Sequence, residues 1–160
     1  MFGHHTGIGD NINLTVLKKL AKNYILSHVQ ENKLSNNMIE SLSIKCNGRN
    51  QFAKNLSGGN QQKVVIAKWM ATHPRLLIMD EPTRGIDVGA KSQIYSLLKK
   101  LADDGVGVIM VSSEIPEVLE LSDRILVMAE GKVTYYGKNH NMTQDQVLNY
   151  ATMTSISSVA

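Results

Sequence analysis

The chain has 160 residues, which suits one compact domain and is too short for two full-sized ones. Hydrophobic side chains make up 42% and charged ones 19%, a composition that supports a buried core and excludes an intrinsically disordered protein. Residues 1–79 carry ten basic and three acidic side chains, whereas residues 80–160 carry seven and eleven. Because the basic residues lie singly or as a pair, we expect a solvated helical surface rather than a nucleic-acid-binding face.

The single cysteine, Cys46, cannot form an internal disulfide, which favours a cytosolic protein. The longest apolar runs are far shorter than the roughly 20 residues of a membrane-spanning helix. The first residues also lack the charged and apolar regions of a secretory signal. We therefore expect any association with a membrane to depend on a partner.

Helical periodicity dominates the beginning of the chain. Apolar residues between Leu14 and Ile25 recur at helical spacing, which predicts an amphipathic helix over 14–30. A shorter second helix is predicted over 35–44, with Ser35 as its N-cap.

A third helix is predicted to open at residues 56–60 and to end near Pro74. From there the pattern changes, because residues 76–79 and 106–111 are short continuous apolar runs typical of strands buried on both faces. Between them, residues 88–102 have the spacing of a helix with one apolar face. Strand, helix and strand in this order predict a right-handed parallel unit.

The last part of the chain is predicted to contain a short helix over 116–121 and a hairpin with strands over 125–128 and 133–136. Thr143 is the predicted cap of a final helix. The residues that this helix is expected to point inward are Val147 and Leu148. The whole chain is predicted to be α/β, with a helical subdomain over 1–56 followed by an α/β core over 57–160.

Ser57, Gly58 and Gly59 come directly before a predicted helix. Two glycines expose backbone N–H groups, the serine adds a hydroxyl, and the helix N-terminus supplies positive potential, a combination that suits a phosphate group. Taken alone, the same residues are more typical of an ordinary capped helix with a flexible entry than of a phosphate site.

Asp80 and Glu81 follow the predicted strand 76–79, at its carboxyl end, where open α/β sheets bind their ligands. In phosphoryl-transfer sites a first carboxylate typically serves the Mg²⁺ shell, and a second one orients or deprotonates the attacking water. The alternative is a pair of solvated charges at the end of a strand.

Three runs together resemble the ATP-binding cassette ATPases of transporters, namely residues 56–64, 77–91 and 111–114. More narrowly, they resemble the second cassette of the ribose/galactose/autoinducer-2 class of sugar importers, over roughly residues 8–137. The resemblance implies a P-loop NTPase-like fold with a mostly parallel sheet, preceded by a helical subdomain.

The resemblance also implies roles for individual positions. The residues that match the signature motif, which closes over the γ-phosphate of ATP held by the opposite cassette, are Leu56, Ser57, Gly58, Gly59 and Asn60. Asp80 matches the Walker B aspartate of the magnesium shell, and Glu81 matches the carboxylate that polarises the attacking water. Asp87 matches the D-loop, which touches the partner cassette, and it also fits an N-cap for the helix from Val88.

The chain departs from the family pattern at two places. The residue that is histidine in most cassettes is Ser113 here, a hydroxyl donor without the charge of an imidazolium, and we group it with Glu81 as a catalytic residue. The second departure is that no Gly-x-x-x-x-Gly-Lys-Ser/Thr occurs in the sequence. We therefore expect the P-loop strand to be absent, the chain to be the carboxyl-terminal part of a cassette, and Mg-ATP to bind weakly or not at all to these residues alone.

The resemblance implies an ATP-binding subunit, or part of one, in a bacterial sugar importer. Such a protein uses ATP and Mg²⁺ at a site shared with a second cassette, and it drives membrane permease subunits. Its indirect partner is a periplasmic or extracellular sugar-binding protein, and it lies peripherally on the cytoplasmic face of the membrane. We expect no nucleic-acid partner. The alternative is a non-catalytic remnant from a truncated or split gene.

Overall fold

The structure is a computed structural model that describes residues 6–22 and 25–153. The chain separates into two compact units, Met1–Ile109 and Met110–Ala160. In the described parts of the chain, no helix combines the length and the apolar composition that a bilayer crossing requires.

The first unit opens with helices and continues into α/β structure. Its elements, in chain order, are α1 (Ile8–Asn13), α2 (Leu17–Leu20), β1 (Ala21–Lys22), β2 (Ile25–Leu26), α3 (His28–Ser41), a 3-10 turn (Ala53–Asn55), α4 (Gly58–Met70), β3 (Leu76–Asp80), α5 (Val88–Asp103) and β4 (Gly107–Val111), the last of which continues into the second unit. Helix α1 packs against α3 and α4. Its first N–H groups, on Ile8 and Gly9, donate to the carbonyls of Gln51 and Arg49 at 3.0 and 2.8 Å. These bonds fix the loop that leads to α4.

The predicted helix over 14–30 is wrong. The buried residues are Ile8, Ile12 and Val16, so the apolar stripe begins earlier than predicted, and the residues between α2 and α3 form the short antiparallel pair β1–β2. Ile25, which the prediction placed on the apolar face, is 74% exposed. The apolar residues used for the prediction lie on both sides of the chain reversal between β1 and β2, so their spacing does not describe a single helix.

The predicted helix over 35–44 with Ser35 as its cap is also wrong. Helix α3 begins about two turns earlier, because Ser27 is its N-cap and accepts a hydrogen bond from the N–H of Gln30 at 3.5 Å. Ser35 is buried inside the helix, where its hydroxyl donates to the carbonyl of Glu31 at 2.8 Å. Either serine fits a cap by residue type, and only the packing distinguishes them.

The strand, helix and strand predicted in the middle of the chain are confirmed as β3, α5 and β4. The two strands are neighbours in a parallel sheet, and the N–H of Gly107 donates to the carbonyl of Arg75 at 3.0 Å. The predicted inward face of α5 is confirmed, since four of its residues are buried. They are Ile94, Leu97, Leu98 and Leu101.

Strand burial differs from the prediction. In β3 the side chains alternate, with Leu77 and Met79 buried but Leu76 and Ile78 exposed to 50% and 65%. On β4, Ile109 is 49% exposed. The prediction of strands buried on both faces is therefore wrong here, because the described residues cover only one face of this two-stranded sheet.

The second unit is a helix–hairpin–helix arrangement. After the end of β4 it consists of α6 (Ile115–Leu121), β5 (Arg124–Ala129), β6 (Lys132–Lys138) and α7 (Gln144–Thr152). Strands β5 and β6 pair antiparallel, which confirms the hairpin, and Glu130 and Gly131 have φ of 49° and 75°, the left-handed pair that a tight hairpin turn requires. Thr143 caps α7 as predicted. Val147 is buried as predicted, but Leu148 is exposed, so that prediction is wrong.

Candidate functional site

Ser57 stands at the N-cap position of α4, and within the described structure its side chain makes no cap hydrogen bond to the helix. Its Oγ instead accepts a hydrogen bond from Nδ2 of Asn60 at 2.9 Å. The N–H groups of the first helical turn have no carbonyl four residues earlier within the helix, so this end of α4 retains donors and positive potential. The ordinary serine-capped helix is therefore not what this structure contains.

The two glycines that follow Ser57 differ in their surroundings. Gly58 is exposed, and a Cβ added there would meet nothing closer than 4.0 Å. Gly59 is buried, and a Cβ added there would lie 2.7 Å from the Cβ of Ala90. Gly59 thus allows α4 to pack against the start of α5, whereas Gly58 leaves the end of α4 open to a ligand.

Two amide side chains on the first turn of α4 hold the preceding loop. Oδ1 of Asn60 accepts from the backbone N–H of Lys45 at 2.9 Å. Nε2 of Gln61 donates to the carbonyl of Leu56 at 2.9 Å. An open, mostly polar basin of about 470 Å³ lies beside this loop, and both Ser57 and Asn60 line it. The loop before α4 is therefore tied at both of its ends.

Lys63 is a residue of this region that the sequence analysis missed. It is only 6% exposed, and its ammonium donates to the carbonyl of Ser43 at 3.1 Å and to Oε1 of Gln93 at 3.2 Å. Burial, and then the charge of Lys45, lowers the pKa of Lys63. The available signal was its position four residues after Gly59, on the same inward face of α4.

Asp80 and Glu81 lie at the carboxyl end of β3, as predicted. Asp80 is exposed, and Glu81 is partly buried with a φ of 47°. Its carbonyl accepts from the N–H of Arg84 at 3.2 Å, and the next two residues, Pro82 and Thr83, are buried, so the turn is held from both sides. An exposed carboxylate such as that of Asp80 is a ligand that Mg²⁺ uses in proteins when phosphate oxygens complete its shell. Asp80 thus fits that ion.

The segment after these carboxylates meets the start of α4. Gly85 has a φ of 73°, and its carbonyl is one of the two nearest groups to a Cβ built on Gly58. Asp87 caps α5 as predicted, since its Oδ1 accepts from the N–H of Ala90 at 2.9 Å. The structure therefore brings the signature-like residues and the Asp87 segment together within the first unit.

Ser113 belongs to the second unit, and its side chain is exposed. The preceding residue, Ser112, donates to Oε2 of Glu117 at 2.5 Å and accepts from the N–H of Glu114 at 3.0 Å. Glu117 is buried at 2% exposure. The burial of this carboxylate was not predicted, because a glutamate in a short helix is usually a surface residue.

Known proteins resemble the chain in sequence. A family model described as "ABC transporter" matches residues 3–84. The ribose import ATP-binding protein RbsA of Halalkalibacterium halodurans is 48% identical over 145 residues, which cover 91% of this chain and 29% of that protein. The xylose import ATP-binding protein XylG of Geobacillus kaustophilus is 46% identical over 142 residues, which cover 89% and 28%. The chain thus spans less than a third of the length of these curated relatives.

Solved structures resemble the fold. A dimeric ATP-binding cassette in a post-hydrolysis state, bound to ADP and Pi, has a TM-score of 0.72 at 26% identity, with 87% of this chain and 59% of that chain covered. The ADP conformation of an ATP-binding cassette of an ABC transporter has a TM-score of 0.70 at 21% identity and shows the fold alone, with 92% and 59% covered. The family resemblance and the α/β fold class are confirmed. The chain belongs to the ABC transporter family and has the fold of part of its ATP-binding cassette.

Proposed function

We propose that the chain is part of the ATP-binding subunit of a bacterial sugar importer, and that residues 56–60 close over the γ-phosphate of ATP held by another cassette. The observation that carries this proposal is the state of Ser57, an exposed hydroxyl at the start of a 13-residue helix that is not used to cap that helix. With the open approach at Gly58, it forms a donor-rich surface suited to an anion.

The hydrolytic step in this proposal uses the carboxylates at the end of β3. Asp80 would hold the magnesium ion of the ATP site whose P-loop is not in this sequence. Glu81 would orient a water molecule toward the γ-phosphorus at that site and accept its proton, so that ATP and water give ADP and phosphate. When bound, Mg²⁺ neutralises negative charge on the phosphates. Ser113 donates a hydrogen bond to the γ-phosphate, and Asp87 contacts the second cassette.

The substrate and partners are proposed from the relatives. The names of the relatives at 46–48% identity state import of ribose and of xylose, which supports a pentose or a related sugar as cargo. The proposed assembly contains a second cassette, membrane permease subunits and, indirectly, a sugar-binding protein outside the membrane, with this chain on the cytoplasmic face. The division into a helical subdomain over 1–56 and an α/β core over 57–160 is part of the same proposal.

The sequence contains no P-loop motif, and we propose that these 160 residues bind Mg-ATP weakly or not at all by themselves. The uncovered apolar face of β3 and β4 supports a role within a larger assembly. Leu76 and Ile78 are exposed on this face, and a two-stranded sheet with exposed apolar side chains is poorly stable alone. The same face also suits the second candidate, a non-catalytic remnant that retains the fold. That candidate predicts a native chain of 17.7 kDa that does not purify with a permease.

Ser57→Arg tests the proposed contact with the phosphate in the importer that contains this chain. The long cation occupies the open end of α4, so we expect ATP-driven sugar uptake into membrane vesicles to fall about a hundredfold. Ser96→Arg is the matched control, because Ser96 is exposed on α5 and its hydroxyl bonds only within that helix. Uptake that survives Ser57→Arg would contradict the proposal.

Glu81→Gln tests the hydrolytic role separately. The amide keeps the size of the side chain but cannot accept a proton, so we expect ATP turnover in the same importer to fall by about 10²–10⁴-fold. Unchanged turnover would show that this half of the assembly does not hydrolyse ATP, and it would leave the role of Ser57 to be judged by transport.

A further inference from the structure

Asn60 makes two side-chain hydrogen bonds that together determine how its amide is oriented. The backbone N–H of Lys45 can only donate, so the atom 2.9 Å from it is the amide oxygen of Asn60. The amide nitrogen must then face Ser57, whose Oγ lies 2.9 Å away. The two bonds leave no ambiguity between the oxygen and the nitrogen of this side chain.

This orientation determines what Ser57 can offer to a ligand. A hydroxyl has one hydrogen to donate and two lone pairs with which to accept. Because an amide N–H can only donate, Ser57 acts as the acceptor toward Asn60, and its own hydrogen is directed elsewhere. Helix capping does not use the hydroxyl within the described structure either. The Ser57 hydrogen is therefore kept for an outside acceptor.

We infer that Asn60 is a positioning residue, which accepts from Lys45 and donates to Ser57 so that the Ser57 hydroxyl presents its hydrogen to an incoming phosphate oxygen. The inference rests on the proposed function of residues 56–60, and it deepens that function by separating two roles. Ser57 touches the phosphate, and Asn60 acts through Ser57. The other amide on this turn, Gln61, supports the backbone instead, since it donates to the carbonyl of Leu56.

Two substitutions at Asn60 distinguish this inference from a merely structural role, because the two roles predict opposite orders for how harmful the substitutions are. Asn60→Asp keeps the shape and the bond from Lys45, but its second oxygen can only accept, so Ser57 must donate inward and loses the hydrogen meant for phosphate. Asn60→Ala removes both bonds and leaves the hydroxyl free to rotate. A merely structural role predicts the reverse order, with the isosteric aspartate tolerated and alanine more harmful.

The measurement is the ATP concentration that gives half-maximal ATPase activity, together with kcat, in the importer that contains this chain. We expect Asn60→Ala to raise this KM about threefold and Asn60→Asp to raise it about thirtyfold. Asn55→Asp is the matched control for charge, because Asn55 is exposed and lines the same basin. We expect it to raise the KM no more than about threefold.

A double-mutant cycle tests whether Asn60 acts through Ser57. In the Ser57→Ala background we expect Asn60→Ala to cause no further rise in KM, because the group that it positions is gone. Multiplicative effects of the two substitutions, or a KM for Asn60→Asp near that of the wild type, would overturn the inference. The cycle uses only neutral side chains, so it remains decisive even if the aspartate variant folds poorly.

Failure of the inference and failure of the proposed function are distinguishable. If Ser57→Ala alone leaves KM and kcat unchanged, then Ser57 does not contact phosphate, and both are overturned. If Ser57→Ala raises the KM, and Asn60→Ala raises it by the same factor in the Ser57→Ala background as in the wild type, only the inference is overturned. The unfolding midpoint of each variant, followed by the fluorescence of Trp69 on α4, verifies that the helix has formed.

Discussion

Two loops in this molecule are organised around a serine hydroxyl, and they use it in opposite ways. Before α4, the Ser57 hydroxyl accepts a hydrogen bond from the amide of Asn60, so its own hydrogen is not used in that bond. Before α6, Ser112 is a donor toward the buried carboxylate of Glu117, and its oxygen also accepts from the N–H of Glu114. The first serine is exposed, whereas the second is partly buried.

The difference shows that the partner determines what a serine can do. A carboxylate takes the hydrogen of Ser112 and fixes the loop that carries Ser113, so the hydroxyl contributes to stability. An amide N–H leaves the hydrogen of Ser57 available, and in our proposal the hydroxyl uses it to bind phosphate. Both residues look alike in sequence, as a serine followed by residues that begin a helix.

Removing the carboxylate of the second loop is expected to have the largest effect on stability. Glu117→Ala removes a buried carboxylate and leaves the partly buried Ser112 hydroxyl without its acceptor, and we expect the free energy of unfolding to fall by about 3 kcal/mol. Hydrogen exchange of the amides of residues 112–121 measures the effect where it occurs. Glu120→Ala, an exposed change on the same helix, is the control. Equal protection in the two variants would contradict the structural role of Glu117.

Close packing of Gly59 against Ala90 joins the start of α4 to the start of α5, and the two glycines of α4 test this contact. Gly59→Ala places a Cβ 2.7 Å from that of Ala90, and we expect a loss of about 2 kcal/mol from overpacking. Gly58→Ala meets open space and gains helix propensity, so it should cost nothing. Urea unfolding followed by Trp69 fluorescence compares them. Ala90→Gly should restore the stability of Gly59→Ala, and a failure to do so would show that the close contact is not the cause.

Truncating the two serines compares the loops directly. We expect Ser112→Ala to cost about 1 kcal/mol, because the buried Glu117 loses a donor. Ser57→Ala should change stability by less than about 0.5 kcal/mol, since the bond between Ser57 and Asn60 is exposed and water can replace it. The same urea titrations provide the measurement. A larger cost at Ser57 than at Ser112 would reverse the assignment of the two hydroxyls.

Local sequence patterns predicted the elements whose signals are local. Helix α5 followed from its apolar spacing and the cap at Asp87, and the hairpin followed from two short strand-like runs over 125–128 and 133–136. The start of the chain was not predictable in this way. Two-residue strands carry too little pattern to identify, and the burial of Ile8 depends on α3 and α4 packing against α1.

Sequence motifs selected the residues of the candidate site, but they did not predict how these residues are arranged. The motif identified Ser57–Asn60 and the carboxylates Asp80 and Glu81. The different roles of Gly58 and Gly59 depend on where α5 begins in space, and the link from Asn60 to Lys45 joins residues 15 positions apart. Buried ionisable residues such as Lys63 escape prediction because their burial is decided by distant partners.

The smallest expected effect is a pH dependence of the free energy of unfolding, which arises from Lys63 on α4. Burial, and then the charge of Lys45, lowers the pKa of Lys63 below its ordinary 10.5. Between the lowered pKa and 10.5, the unfolded chain binds more protons than the folded one, so the free energy of unfolding rises with pH through that window. Lys63→Met should remove this rise, and Lys33→Met, an exposed change on α3, should retain it. Urea titrations from neutral pH to 10.5 measure both. If the difference in stability between the wild type and Lys63→Met is flat over that range, the ammonium is not desolvated in solution, and the contacts with Ser43 and Gln93 do not hold it inside.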